Sequence, residues 1–126
     1  MNLRNALLPA LLLALAGCAH QPEVPPAAFG STQTLSVGQT VRFDDGLSLE
    51  LERVEDSRCR QGMQCVWAGE LAPILQLRGG FVGDKAVKLR LATGSSPAKQ
   101  QGPYHFTLRQ ATPEAASVTV NRTRQP

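Results

Sequence analysis

Residues 47–52 read LSLELE, and these six positions decide what kind of fold the chain adopts. Leu47, Leu49 and Leu51 occupy every second position, with Glu50 and Glu52 between them. A period of two places the leucines on one face of a strand and the glutamates on the other. A helix would need its apolar residues three and four apart. One dry face and one wet face mark a strand of an antiparallel sheet.

The same period recurs on both sides of this stretch. In TLSVGQTVRF, residues 34–43, Leu35 and Val37 and then Val41 and Phe43 alternate with polar residues. AVKLRLA, residues 86–92, alternates Val87, Leu89 and Leu91 with Lys88 and Arg90. YHFTLR, residues 104–109, and SVTVNR, residues 117–122, repeat the pattern. Leu71 to Leu77 is more continuously apolar and reads as a central strand, with Pro73 near its start. Turn chemistry separates the strands: Asp44-Asp45-Gly46, Arg78-Gly79-Gly80 and Val82-Gly83-Asp84. No stretch shows an amphipathic helix of useful length. The pattern predicts an all-β domain, a small antiparallel β-sandwich or barrel of six to seven strands.

The N-terminus has another character. Met1-Asn2-Leu3-Arg4 is followed by an apolar run from Ala6 to Ala16, broken only by Pro9. The run is too short for a membrane-spanning helix, which needs about 20 residues, and has the layout of a secretory signal. Leu15-Ala16-Gly17-Cys18 matches the bacterial lipobox, in which the cysteine thiol receives a diacylglyceryl group before cleavage. The expected division is a lipoprotein signal at 1–17 and an acylated Cys18 opening a proline-rich, flexible linker at 18–30. The folded domain then spans 31–126. His20 falls in the linker and makes a poor candidate for a preorganised site. Ala19, rather than aspartate, follows the cysteine and favours the outer membrane over the inner. The expected location is the bacterial cell envelope, lipid-anchored, facing the periplasm.

Loss of Arg4 with the signal leaves 12 basic residues against 10 acidic ones. That excess is too small to predict nucleic-acid binding.

DSRCRQGMQCVWAGE, residues 56–70, concentrates unusual chemistry: two of three cysteines, the single tryptophan and one of two methionines. In an oxidising periplasm Cys59 and Cys65 read as a structural disulfide. A thioredoxin-type redox pair uses C-x-x-C at a helix start, so the spacing here is wrong. Zinc needs four ligands, and the folded part offers only two cysteines and His105. Copper(I) held by Cys59, Met63 and Cys65 would require the thiols to stay reduced. Trp67, two residues after Cys65, has two readings. It is either a core residue covering the disulfide or, with Arg58, Arg60 and Met63, part of an exposed contact patch.

The segments DSRC and CVWAGE resemble an uncharacterised family of small bacterial lipoproteins and secreted domains. Its members carry D-S-R-C-P, a few residues, then C-x-W-A-G-E. YHFTLRQATP is similar to the same family's tyrosine-led segment ending in proline, here Pro113. The likeness covers roughly residues 34–123. Arg60 stands where that family commonly has proline. The resemblance implies a β fold and paired cysteines, and adds no activity.

Catalytic signals are sparse. His105 lies on the polar side of its strand. The serines lack a nucleophile-elbow context, and Ser95-Ser96-Pro97 reads as a loop. Glu50 and Glu52 alternate with leucines, which puts them on a solvated sheet face opposite Lys88 and Arg90. The sequence therefore predicts no catalytic residues, metal site or cofactor. It predicts a non-enzymatic binding or accessory module that meets the membrane through its anchor and another envelope protein through the Asp56–Glu70 loop. The competing expectation is a periplasmic carrier of a small ligand or metal.

Overall fold

The computed structural model describes residue 17 and residues 24–123. The expected signal apart from Gly17, together with Cys18 and His20, lies outside the described residues. Eight strands form two four-stranded antiparallel sheets. In chain order they are β1 (Thr32–Ser36), β2 (Thr40–Arg42), β3 (Ser48–Asp56), β4 (Leu71–Gly79), β5 (Gly83–Arg90), β6 (Ala98–Gln101), β7 (Tyr104–Ala111) and β8 (Ala115–Arg122). One sheet has the order β1-β8-β7-β6 and the other β2-β3-β4-β5. This is a sandwich. Among the described residues no helix is long and apolar enough to cross a membrane.

The alternation in LSLELE survives into the packing. Leu47, Leu49 and Leu51 are fully buried and join Leu75, Leu77, Leu89 and Leu91 against Phe106, Val118 and Val120 of the facing sheet. A bulge then interrupts β3 between Leu51 and Arg53. The extra residue, Glu52, shifts the parity. Val54 thereby packs against the core and pairs with buried Pro73, while Arg53 and Glu55 fall on the outer face.

Pro73 sits within β4 without breaking the β3–β4 ladder. Its carbonyl accepts the Leu91 N–H at 3.0 Å, so its nitrogen faces the β5 side as well. A reciprocal bond is impossible there, and β5 ends at Arg90. Ala72 and Ile74 point away from the core yet are buried, flanked in register by Arg53, Glu55 and Arg90. Expected cross-strand pairing is present in part: Lys88 meets Glu52 at 3.1 Å, while Arg90 meets Glu55 at 3.3 Å and Glu70 at 3.6 Å.

Two boundaries differ from the sequence expectation. The eighth strand is β6, whose residues AKQQ are mostly exposed and carry no apolar alternation. The domain also begins before Ser31. Ala27 bridges Phe43, Gly30 N–H bonds Val120 C=O at 2.8 Å, and Phe29 stacks on Phe43 at 4.7 Å. Proline-rich composition hid a docked end, because Phe29 supplies one anchor without periodicity.

Candidate functional site

The loop between β3 and β4 is built from the inside out. At its base Ser57 and Glu70 face each other across the chain. The Ser57 N–H donates to the Glu70 carbonyl at 3.0 Å, and the Ser57 hydroxyl donates to it at 3.1 Å. The Glu70 N–H in turn reaches Ser57 Oγ at 3.0 Å. Gly69 allows this closeness, since a Cβ there would lie 1.8 Å from the Ser57 carbonyl oxygen. Asp56 accepts both the backbone N–H of Arg58 and its guanidinium, each contact 3.0 Å long. Those hydrogen bonds hold the Asp56 carboxyl below its ordinary range and raise Arg58 further.

Glu70 extends the scaffold to the Thr93–Ser96 turn. Its carboxylate accepts the Ser95 hydroxyl at 2.7 Å and the Ser95 N–H at 2.8 Å. Ser95, then Gly94 N–H and Arg90, keep the Glu70 carboxyl low against the opposing effect of burial. Ser95 thus serves as an anchor for a loop, consistent with its loop context.

Cys59 and Cys65 form a disulfide with Cα atoms 5.9 Å apart. Joining the sulfurs removes the thiolates a copper site would need. Cys59 Sγ also lies 3.1 Å from the Met63 carbonyl oxygen, an approach without a hydrogen bond, because the bonded sulfur carries no proton. Among the described residues no group of three or more histidine, cysteine, aspartate or glutamate side chains is arranged to hold a metal.

The reading of Trp67 as a core residue is overturned. Trp67 is 62 % exposed, Met63 64 % and Val66 96 %. The segment 57–69 belongs to no strand, so the strand geometry that would turn Trp67 over the sulfurs does not arise. Arg58 and Arg60 are exposed in the same loop. The four residues expected to form a contact patch therefore share one solvent-facing loop. Val66 belongs with them and escaped notice, although its place between Cys65 and Trp67 was a usable signal.

A second cluster, at the opposite end of β3, was not legible as one. The Tyr104 hydroxyl donates to Asp45 at 2.5 Å and accepts the Phe81 N–H at 3.0 Å. Asp45 also accepts the Leu47 N–H at 3.0 Å and pairs with Arg122 at 3.1 Å. Arg122 lies over the Phe29 ring, 5.0 Å from its centroid. Burial pushes Asp45 up, but the hydrogen bonds from Tyr104, Leu47 and Arg122 outweigh it and leave the carboxyl low. Burial, then Asp45, pushes Tyr104 up to about 12. Through its hydrogen bonds Tyr104 ties β7 to the β2–β3 turn and to Phe81. Gly80 must be glycine here, since a Cβ would sit 2.3 Å from the Tyr104 hydroxyl.

The remaining candidates stay apart. His105 bonds Thr123 Oγ1 at 2.7 Å on the outside of its sheet. An open groove of about 410 Å³ runs outside the core between Val24, Gln33 and Val41. No protein-family model, no curated protein and no solved structure matches this chain.

Proposed function

We propose that this protein is a lipid-anchored, non-enzymatic module of the bacterial envelope that works by binding through the Asp56–Glu70 loop. One observation carries the reading. Asp56, Ser57, Cys59, Cys65, Gly69 and Glu70 all spend their chemistry on holding the loop. What the loop presents to solvent is Met63, Val66 and Trp67 beside Arg60. Exposed aromatic and arginine side chains on a rigid support are the usual anchors of an interface, and rigidity lowers the entropy cost of binding. The lipobox at Leu15–Cys18 supports the anchor, and the resemblance through DSRC and CVWAGE supports kinship with small envelope lipoproteins. Tethering would raise the effective concentration of any envelope component near the loop.

The test is cross-linking of the full chain in its native envelope, together with mass analysis of the mature N-terminus. A parallel sample carries Arg58→Ala, Arg60→Ala and Trp67→Ala, with folding checked by circular dichroism. Two results are expected: acylation of Cys18, and a cross-linked species that is present with the wild-type chain and missing with the triple variant. A cross-linked species that persists in the triple variant would move the site elsewhere. The groove beside Val41 favours a second reading, a carrier of a small ligand bound outside the sandwich core.

A further inference from the structure

The exposed part of the loop has a particular composition. Residues 57–69 include two arginines, Arg58 and Arg60, and no aspartate or glutamate. Arg58 is occupied by Asp56, whereas Arg60 makes no ion pair among the described residues. Met63, Val66 and Trp67 are exposed apolar side chains of the same loop. Tryptophan and aliphatic side chains beside a free cation suit the interfacial region of an anionic bilayer. There the ring sits at headgroup depth and the guanidinium meets phosphate.

The route by which the chain enters the domain points the same way. Ala27 pairs with Phe43 in parallel, so the segment before it runs alongside β2 and in the same direction. Because β2 is antiparallel to β3, following that segment back toward the N-terminus leads along β3 toward Asp56 and the loop. Val24 borders the same groove as Gln39 and Thr40. Those residues are level with Leu51 and Glu50 on β3. Asp56 lies about five residues further along β3, roughly 17 Å at the rise of a strand. The chain between positions 18 and 24 spans at most about 20 Å. A lipid on Cys18 can therefore come level with Asp56, the base of the loop.

We propose that the partner of the Asp56–Glu70 loop is the lipid surface that holds the chain. Met63, Val66 and Trp67 enter the interfacial layer, and Arg60 pairs with anionic headgroups. The proposal rests on the lipid-anchored binding-module reading above and names its partner. A loop contact added to acyl chains is a second attachment signal, and it fixes the orientation of the domain as well as its distance. The far end of the sandwich, around Tyr104 and Phe81, would then face away from the bilayer.

Trp67 is the only tryptophan, so its fluorescence reports the loop without background. Full-length protein matured in a bacterial envelope is placed in vesicles of phosphatidylethanolamine and phosphatidylglycerol, with and without bromine on the acyl chains. A mass spectrum of the same sample reads the state of Cys18. The expected result is acylated protein whose emission is blue-shifted and quenched by the brominated lipid. The paired variant Arg60→Glu/Val66→Asp should abolish that quenching while its far-ultraviolet circular dichroism is unchanged. Acylated protein with unquenched, water-like emission would overturn the loop contact and leave the anchor standing. If Cys18 carries no lipid, the anchor reading fails, and the same vesicles are offered to the unacylated chain. Quenching there supports the loop contact, and its absence overturns it. A photo-reactive side chain replacing Val66 gives an independent readout in intact envelopes. Capture of phospholipid supports the proposal, and capture of a protein in its place refutes it.

Discussion

A Cβ on Gly69 would stand 1.8 Å from the carbonyl oxygen of Ser57, so at the base of the Asp56–Glu70 loop Gly69 and Ser57 meet backbone to backbone. That approach brings Ser57 and Glu70 within reach of their three mutual hydrogen bonds. Gly69→Ala is expected to push the ends apart and to cost about 1–3 kcal/mol, since it loosens several solvent-exposed hydrogen bonds that each contribute only about 0.5–1.5 kcal/mol. The damage should be local. Amide exchange should accelerate at Ser57 and Glu70 while the β7 and β8 amides remain protected.

The Asp45–Tyr104 pair contributes to the pH dependence of stability on both the acid and the alkaline side. Asp45 titrates below its ordinary value of 3.8 when folded. Its contribution is present above that value and is lost as pH falls through the folded pKa, because the unfolded chain takes up the proton first. Tyr104 is pushed from 10.0 up to about 12. Its contribution is intact below pH 10 and disappears between pH 10 and 12, on the order of 2 kcal/mol. Urea unfolding across pH should therefore show a plateau with an acid shoulder and an alkaline one. Tyr104→Phe should abolish the alkaline shoulder. At neutral pH it should cost roughly 1–3 kcal/mol, since Asp45 and the Phe81 N–H are each left short of a partner.

How far the sequence could be read follows from which interactions leave a period. The strand faces were legible because Leu47, Leu49 and Leu51 announce a buried side by their spacing alone. Val54 broke the rhythm, and only the bulge at Glu52 explains why it still faces inward. The pairing of Cys59 with Cys65 was readable from their proximity in sequence together with the expected oxidising compartment. Trp67 was less so, since exposure depends on whether residues 57–69 continue a strand, and local composition does not decide that. Asp45 looked like turn chemistry because its real partners, Tyr104 and Arg122, are 59 and 77 residues away. Contacts that join distant segments through single side chains have no local signature.

The docking of Phe29 makes a separate prediction about where the domain begins. Its ring stacks on Phe43 at 4.7 Å and lies under Arg122, although it is only half-buried. Phe29→Ala should cost about 1.5–2.5 kcal/mol, roughly half the value of a fully buried phenylalanine. A flexible linker would give no change on thermal unfolding, so a measurable fall in Tm places the boundary before Phe29. Val24→Ala, at a 90 % exposed position, serves as the silent control.

The last prediction separates the staple from the fold. Cys59 and Cys65 close a ring with five residues between them, which in the chain-entropy view stabilises by about 2 kcal/mol. The base of the same loop is held independently by Ser57, Gly69 and Glu70, and neither cysteine belongs to the core cluster of buried leucines. Cys59→Ser/Cys65→Ser should therefore lower Tm by roughly 10 °C while leaving the strand content unchanged. Thiol labelling of freshly isolated, unfolded wild-type protein checks the premise. These two cysteines should remain unlabelled until reductant is added and then take up two equivalents. If the unstapled variant keeps its fold but shows no Trp67 quenching at brominated vesicles, the ring is there to hold Met63, Val66 and Trp67 in place for contact. Equal quenching in both would assign that task to the Ser57–Glu70 base alone.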